Sequence, residues 1–381
     1  MKKFIKWRFI MKYKISIIIP TYNIVKDKED KNNFLKTIQS LEKQSIGFDN
    51  LEVLIVDDNS NEATKKLLKE INQEHENIKL ILLDENSGSP SKPRMVGIKN
   101  AQADYIMFLD QDDTLTSYSC EVMLNVIDKK NADIVSSNYI IEMDEEYVAF
   151  NEAEKYKEFN PKHSLLKFQK QYAPWARIFR KEIINDIAFP NGILLEDSYL
   201  NFKAFVEAGK VIYLNDFYSY KYQVNYESIT LNSKCSTISK GLKGIYEVIC
   251  MLKKYPDNIP LVIDDLFSMV LQTLLMFNFS IRNNVMLLKE FKKLEDLIIR
   301  ENENVSEIMK KPIWAKFLNF FITRKLFVIA ALITKIIQLI IGNKIIKKHI
   351  FTKLFRHELY YEEKNNYENY LFGDNDLIEV V

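Results

Sequence analysis

The segment Phe108-Leu109-Asp110-Gln111-Asp112-Asp113 places three carboxylates within four residues, directly after the apolar run YIMFL. Carboxylates this close repel one another unless a cation lies among them. On an extended segment, acids at i and i+2 point to one side, so Asp110 and Asp112 could grip a hard divalent ion. Such an ion keeps several waters and also holds phosphate oxygens, and its use would be to neutralise a diphosphate leaving group. The plainer alternative is an acidic turn in which Asp113 caps the following helix.

The elements that must position this cluster alternate regularly. Residues 15–19 (ISIII), ended by Pro20, have the pattern of a buried parallel strand. A helical spacing follows over 32–46 at Phe34, Leu35, Ile38 and Leu41. LEVLIVDD (51–58) is a second strand, and NSNEAT (59–64) supplies polar residues suited to opening a helix. IKLILLD (78–84) is a third strand, 91–101 is helical, and DYIMFLD (104–110) is a fourth strand. This order predicts βαβ crossovers and a mostly parallel sheet flanked by helices. Ligands of such sheets bind beyond the carboxyl ends of the strands, where this chain carries Thr21, Tyr22, Asp57, Asp58, Asp110, Asp112 and Asp113. ADIVSSNYII (132–141) is a further strand, residues 171–230 are rich in aromatics, and from about 231 the helical period dominates. The expected organisation is a basic extension over 1–14, an α/β domain over 15–230 and a helical region over 231–381.

With 381 residues, 47% hydrophobic and 28% charged, the chain is long enough for one large domain plus an appendage. Nine Gly and nine Pro argue against fibrous or disordered character. Cys120, Cys235 and Cys250 are too scattered for a disulfide framework or a zinc site, which fits a reducing compartment. Residues 1–14 carry six Lys/Arg but neither an unbroken apolar core nor a small-residue cleavage site, so they do not read as a signal peptide.

Four motifs, IIIPTYN (17–23), VDDNS (56–60), SGSPSKPRMVGI (87–98) and FLDQDD (108–113), occur in an order and spacing similar to those of family-2 glycosyltransferases. The resemblance covers roughly residues 14–230. It implies a GT-A fold, a nucleoside-diphosphate-sugar donor and a divalent metal, Mn²⁺ or Mg²⁺. It also implies that Pro20, Thr21, Tyr22 and Asp58 surround the nucleotide, with Asn86 near the base. Asp110 and Asp112 match the D-x-D pair, Asp112 being the direct metal ligand. The residue types suit those roles. Tyr22 offers a flat face to a pyrimidine, and the Asp58 carboxylate can accept the imide N–H of uracil, which cytosine lacks. Arg94 is a fork-shaped donor suited to a diphosphate.

An inverting transferase of this family needs a further carboxylate to take the proton of the attacking hydroxyl. Gly192-Ile193-Leu194-Leu195-Glu196-Asp197 resembles the family's Glu-Asp motif, which implies Asp197 as base and Glu196 as an acceptor-orienting residue. Without that context the pair is a favourable charge in the first turn of a helix. Upstream, Trp175-Ala176-Arg177 resembles an aromatic-x-basic segment of the family, in which Trp175 and Arg177 would face the acceptor; core packing is the alternative for Trp175.

Between residues 310 and 357 stand eleven Lys/Arg and no Asp or Glu, interleaved with WAKFLNFFI, LFVIAALIT and KIIQLIIG. A basic, apolar helical region of this kind suits an anionic membrane surface. A crossing at 326–342 would reach only about 26 Å of a core about 30 Å thick, with Lys335 near its middle. The expected partners are therefore a UDP-sugar, a glycan or lipid-linked glycan acceptor and an anionic membrane surface, but not nucleic acid. The expected place is the cytoplasmic face of a bacterial inner membrane. An oxidoreductase would show G-x-G-x-x-G where this chain has PTYNIV. The remaining rivals are a catalytically inactive sugar-nucleotide-binding module and a nucleotidyltransferase on a related fold.

Overall fold

Strands β1 (Ile15–Thr21) and β2 (Leu51–Asp57) are buried at every position, as expected of strands covered on both faces. The computed structural model describes residues 12–26, 28–143, 146–149, 156–159, 173–187, 196–224, 235–252, 279–301, 324 and 326–341. Helices α1 (Lys28–Glu42) and α2 (Glu62–Glu74) follow these two strands, and β3 (Ile78–Leu82) leads to α3 (Ser91–Asn100). Then come β4 (Tyr105–Phe108), β5 (Thr114–Leu115), α4 (Ser119–Lys129), β6 (Ile134–Met143), β7 (Glu146–Ala149), β8 (Tyr156–Phe159) and β9 (Arg177–Arg180). Short α5 (Lys181–Ile184), α6 (Glu196–Glu207) and β10 (Val211–Gln223) complete the sheet region. Helices α7 (Cys235–Leu252), α8 (Ile281–Glu301) and α9 (Phe327–Ile341) follow.

The sheet runs β3-β2-β1-β4-β9-β6-β10-β5, with β7 beside β6 and β8 beside β10. Its first half is parallel, β3 to β2 to β1 to β4. The second half corrects the mostly parallel expectation. Strand β9 runs antiparallel between β4 and β6, and β5, β7 and β8 are antiparallel to their neighbours. Four-residue β9 is too short to show a period, so its insertion was not legible in the sequence.

One face of the sheet packs against α1, α2 and α4 through Phe34, Ile38, Leu41, Leu67, Leu68 and Ile127. The opposite face packs against α3 and α6, and α7, α8 and α9 continue the same apolar cluster outward. Buried Glu52 is neutralised within the first half: it accepts from Ser16 Oγ at 2.6 Å and Gln102 N at 2.6 Å and pairs with Lys79. A buried carboxylate without such partners would be costly.

Helix α2 opens as expected, with Asn61 Oδ1 accepting from Thr64 N at 2.8 Å. The calls on Gly192–Leu195 and most of 310–357 lie outside the described residues. Among those described, no helix is long and apolar enough to cross a membrane.

Helix α3 lies close on β1, and Gly97 makes that approach possible because a Cβ there would overlap the Ile18 side chain. Gly97→Ala should therefore destabilise the fold by about 1–3 kcal/mol, because a packed core tolerates an added methyl poorly. A urea-denaturation midpoint equal to that of the unmodified protein would contradict this packing.

Candidate active site

Beyond Ile18 and Phe108 the pairing of β1 with β4 ends, and the chain opens into loops at the carboxyl ends of the strands. Left-handed Asn23 (φ 49°) and Asn59 (φ 57°) turn the chain there, a conformation asparagine tolerates better than most residues. The two loops are stitched together. Asn23 N donates to Ser60 Oγ at 2.8 Å and Asn61 N donates to Asn23 Oδ1 at 2.8 Å. Asp57 accepts from Ser60 N at 2.9 Å, from the Ser60 hydroxyl and from Thr21 Oγ1. Pro20 and Thr21 are buried at the end of β1, whereas Tyr22 is 44% exposed at the cleft mouth.

Asp58 is buried and organises the loop after β3. Ser87 N lies 3.0 Å from both carboxylate oxygens, and Ser87 Oγ and Asn86 Nδ2 each donate to Oδ2 at 3.0 Å. The structure thus brings Asp58 and Asn86 together. Oδ1 accepts from Ser87 N, which leaves acceptor capacity on an oxygen with two lone pairs.

The acidic loop divides its three carboxylates. Asp113 turns inward and is buried, accepting from Tyr220 Oη at 2.6 Å and from Gln223 N at 2.8 Å. Burial, followed by the charges of Asp112 and Asp110, raises its pKa well above the carboxylate range. Asp113 is therefore a structural member of the loop, held by the sheet and not placed as a cap of α4. Tyr220 Oη also accepts from Asp110 N at 3.1 Å, so one phenol fixes both ends of the motif. Sequence reading missed Tyr220; its signal was only its place in a Tyr-rich strand. Gln111 anchors the loop to Tyr22, accepting from Tyr22 N at 2.8 Å and donating to Tyr22 O at 3.3 Å.

Arg94, in the first turn of α3, is 1% exposed and forks between two acids. One terminal nitrogen meets Asp110 Oδ1 at 2.7 Å and the other pairs with Asp197 Oδ1. The side chain expected to meet a diphosphate is thus committed to carboxylates in this structure. Asp197 lies in the first turn of α6, where the helix dipole favours an anion. Although 29% of its side chain faces the cleft, burial of the carboxyl is the largest influence and pushes its pKa up to about 6. Asp110 adds to the rise, and Arg94 and Arg177 oppose it. Glu196 begins the same helix.

Trp175 and Arg177 do not form an acceptor-facing wall. Trp175 is 8% exposed, stacked on Tyr220 with centroids 4.5 Å apart and on Tyr222 at 5.8 Å, and edge-on to Tyr139 at 4.8 Å. Arg177 is 1% exposed, donates to Ser136 Oγ at 3.0 Å and to Ala173 O, and lies over the Phe205 ring. Burial lowers its pKa to about 10. Both side chains pack beneath the site, which removes them from direct contact with an acceptor.

Asp110 and Asp112 fit a hard divalent cation in donor type: two carboxylates, with phosphate and water completing the shell, is the usual binding of Mg²⁺-like ions. Among the described residues no three His, Cys, Asp or Glu side chains converge into an all-protein cage. The fit is therefore to an ion shared with a ligand's phosphates.

Residues 16–188 match the family model described as Glycosyl transferase family 2. Glycosyltransferase GlyA of Streptococcus pneumoniae is 29% identical over 230 residues, which cover 55% of this chain and 30% of that protein. Poly(ribitol-phosphate) beta-N-acetylglucosaminyltransferase TarS of Staphylococcus aureus is 29% identical over 208 residues, covering 53% and 34%. The chain thus spans about a third of the length of these curated relatives. The crystal structure of S. aureus TarS 1-349 shares the fold, with a TM-score of 0.62, 20% identity and coverage of 84% of this chain and 90% of that one.

Removing the Tyr220 hydroxyl while keeping its ring tests how the acidic loop is held. Tyr220→Phe should lower stability by about 1–3 kcal/mol, since it takes a donor from a buried carboxyl. Unchanged resistance to denaturant would contradict the role given to this hydroxyl.

Proposed function

We propose that this chain, whose residues 16–188 match the family model described as Glycosyl transferase family 2, transfers a sugar from a UDP-sugar to a hydroxyl of a cell-surface glycan or lipid-linked glycan. The observation that carries the reading is the meeting of Asp110, Arg94 and Asp197, which sets a donor-side carboxylate beside a poised base. The relative named as a poly(ribitol-phosphate) transferase supports a cell-wall polymer, including a polyol phosphate, as acceptor. Against the two rival readings, an inactive binding module and a nucleotidyltransferase, stand the intact Asp110–Asp112 and Glu196–Asp197 pairs and the lack of a Gly-rich basic signature just after the first strand.

In this mechanism Thr21, Tyr22, Asp58 and Asn86 receive the uridine at the strand ends. Asp112 and Asp110 would hold Mn²⁺ or Mg²⁺, which when bound would offset the charge of the diphosphate. Asp197 takes the proton of the acceptor hydroxyl. The hydroxyl oxygen bonds to the anomeric carbon as the bond from that carbon to the phosphate oxygen breaks, UDP leaves, and the configuration inverts. Glu196 orients the acceptor beside the base. Arg94 holds Asp197 and Asp110 in register and adds positive charge next to the diphosphate.

UDP release from a panel of sugar nucleotides with Mn²⁺ tests the reading, and no release from any of them would refute it. Asp197→Asn should slow turnover by roughly 10²–10⁴-fold with donor affinity retained. Because the base must be ionised, kcat/KM should rise with pH through about 6, the value to which the Asp197 pKa is pushed. A rate independent of pH between 5 and 7 (roughly one unit to either side of that pKa) would count against Asp197 as base.

We also place the enzyme on the cytoplasmic face of the inner membrane. Val328, Ile329, Leu332 and Ile336 are 43–61% exposed along one side of α9, within a region rich in Lys and Arg. Helix α9 has 15 residues, a span of about 22 Å that suits lying on a bilayer and not crossing it. Lys335 Nζ donates to Phe279 O at 2.8 Å, so this lysine belongs to the protein side of the helix. The protein should sediment with vesicles containing phosphatidylglycerol and not with pure phosphatidylcholine, and Val328→Asp with Ile336→Asp should weaken that binding. Equal binding to both vesicle types would refute an anionic surface as partner.

A further inference from the structure

A cavity of about 130 Å³ lies against Asp112, on the side of the acidic loop bounded by α1, β5, β6 and β10. Every residue that lines it is polar or charged, although part of the lining surface is apolar. Lys36 and Lys221 supply ammonium groups, Asp112 and Glu142 carboxylates, and Asn33 and Gln223 amides, with the Thr114 hydroxyl between them. Regular structure holds these groups in place. Lys221 pairs in register with Thr114, and Gln223 with Glu142. Gln223 N is fixed on Asp113 Oδ1 at 2.8 Å, and α1 is tied to the loop by Thr37 Oγ1 donating to Gln111 O at 3.1 Å. A site built on strands and a helix keeps its geometry better than one built on loops.

The cavity does not belong to the uridine. The residues that receive the nucleotide in the reading above come from the loops after β1, β2 and β3, whereas these walls, Asp112 excepted, come from α1, β5, β6 and β10. Two ammonium groups suit a phosphate. The carboxylates beside them would repel a bare anion, while carboxylates and amide oxygens alike accept hydrogen bonds from hydroxyls. A ligand with both features satisfies every wall, and the volume admits several waters or one small unit of such a ligand.

We propose that this cavity is an acceptor subsite that holds a phosphate ester of a polyol, with Lys36 and Lys221 on the phosphate and Glu142, Asn33 and Gln223 on the hydroxyls. The subsite rests on the transferase reading and narrows the acceptor to a phosphate-bearing polymer. It lies against Asp112, so a polymer seated by its phosphate is delivered next to the donor.

Calorimetric titration of the full chain, saturated with UDP and Mn²⁺, would use ribitol 5-phosphate, ribitol and inorganic phosphate as probes. Ribitol 5-phosphate should bind at least about tenfold more tightly than either of the others, as one charged hydrogen bond more would give. Lys36→Ala and Lys221→Ala should each weaken it roughly tenfold while leaving UDP affinity unchanged. Ribitol binding as tightly as its phosphate ester, or inorganic phosphate doing so, would overturn the subsite. So would lysine variants that lose UDP affinity instead, because the cavity would then belong to the donor diphosphate. Lys36 is exposed on α1, so its variant keeps the test open if Lys221→Ala fails to fold. A failure of the transferase reading itself would show separately, as no UDP release from any sugar nucleotide.

Discussion

A single buried guanidinium between two carboxylates is the constraint on which this site depends. Arg94 leaves α3 and ends between Asp110 at the close of β4 and Asp197 at the opening of α6. Without that cation, two acids from segments 87 residues apart in sequence would face each other across a cleft, and like charges at such range repel strongly. With it, each carboxylate has a fixed partner, and the rigid fork sets the angle as well as the distance. The sequence pays for this in one place, Gly97, where the absence of a side chain lets α3 settle on Ile18.

The rest of the cleft repeats the principle that a carboxylate is stabilised by at least one donor from a second segment of the chain. Asp57 gathers Ser60 and Thr21, Asp58 gathers Asn86 and Ser87, and Asp113 gathers Tyr220 and Gln223. Each arrangement joins two segments that the chain alone would leave independent. The result is a set of acids held at defined places before any ligand arrives, so reorganisation on binding is small. Beneath them the stacked rings of Trp175, Tyr220 and Tyr222 form a stiff floor.

The first half of the fold was legible because its signals are local. Continuous apolar runs announced β1 and β2, the polar stretch NSNEAT (59–64) announced the start of α2, and acids after YIMFL announced the Asp110–Asp112 pair. The antiparallel half was less legible, since β5, β7, β8 and β9 are two to four residues long and show no period. Long-range pairings were the hardest to read. Tyr220 meets Asp113 across 107 positions and Arg94 meets Asp197 across 103, and nothing in either neighbourhood names its partner. For the same reason Trp175 could be read from its neighbours either as an acceptor contact or as core, and Arg177 as acceptor-facing, whereas both are buried in the fold.

If Arg94 acts through Asp197, the two behave as one unit, and a double-mutant cycle on kcat measures this directly. Arg94→Gln and Asp197→Asn should each slow turnover, and the double variant should be about as slow as Asp197→Asn alone. Losses that multiply in the double variant would contradict the joint action of the pair and leave Arg94 to a separate task.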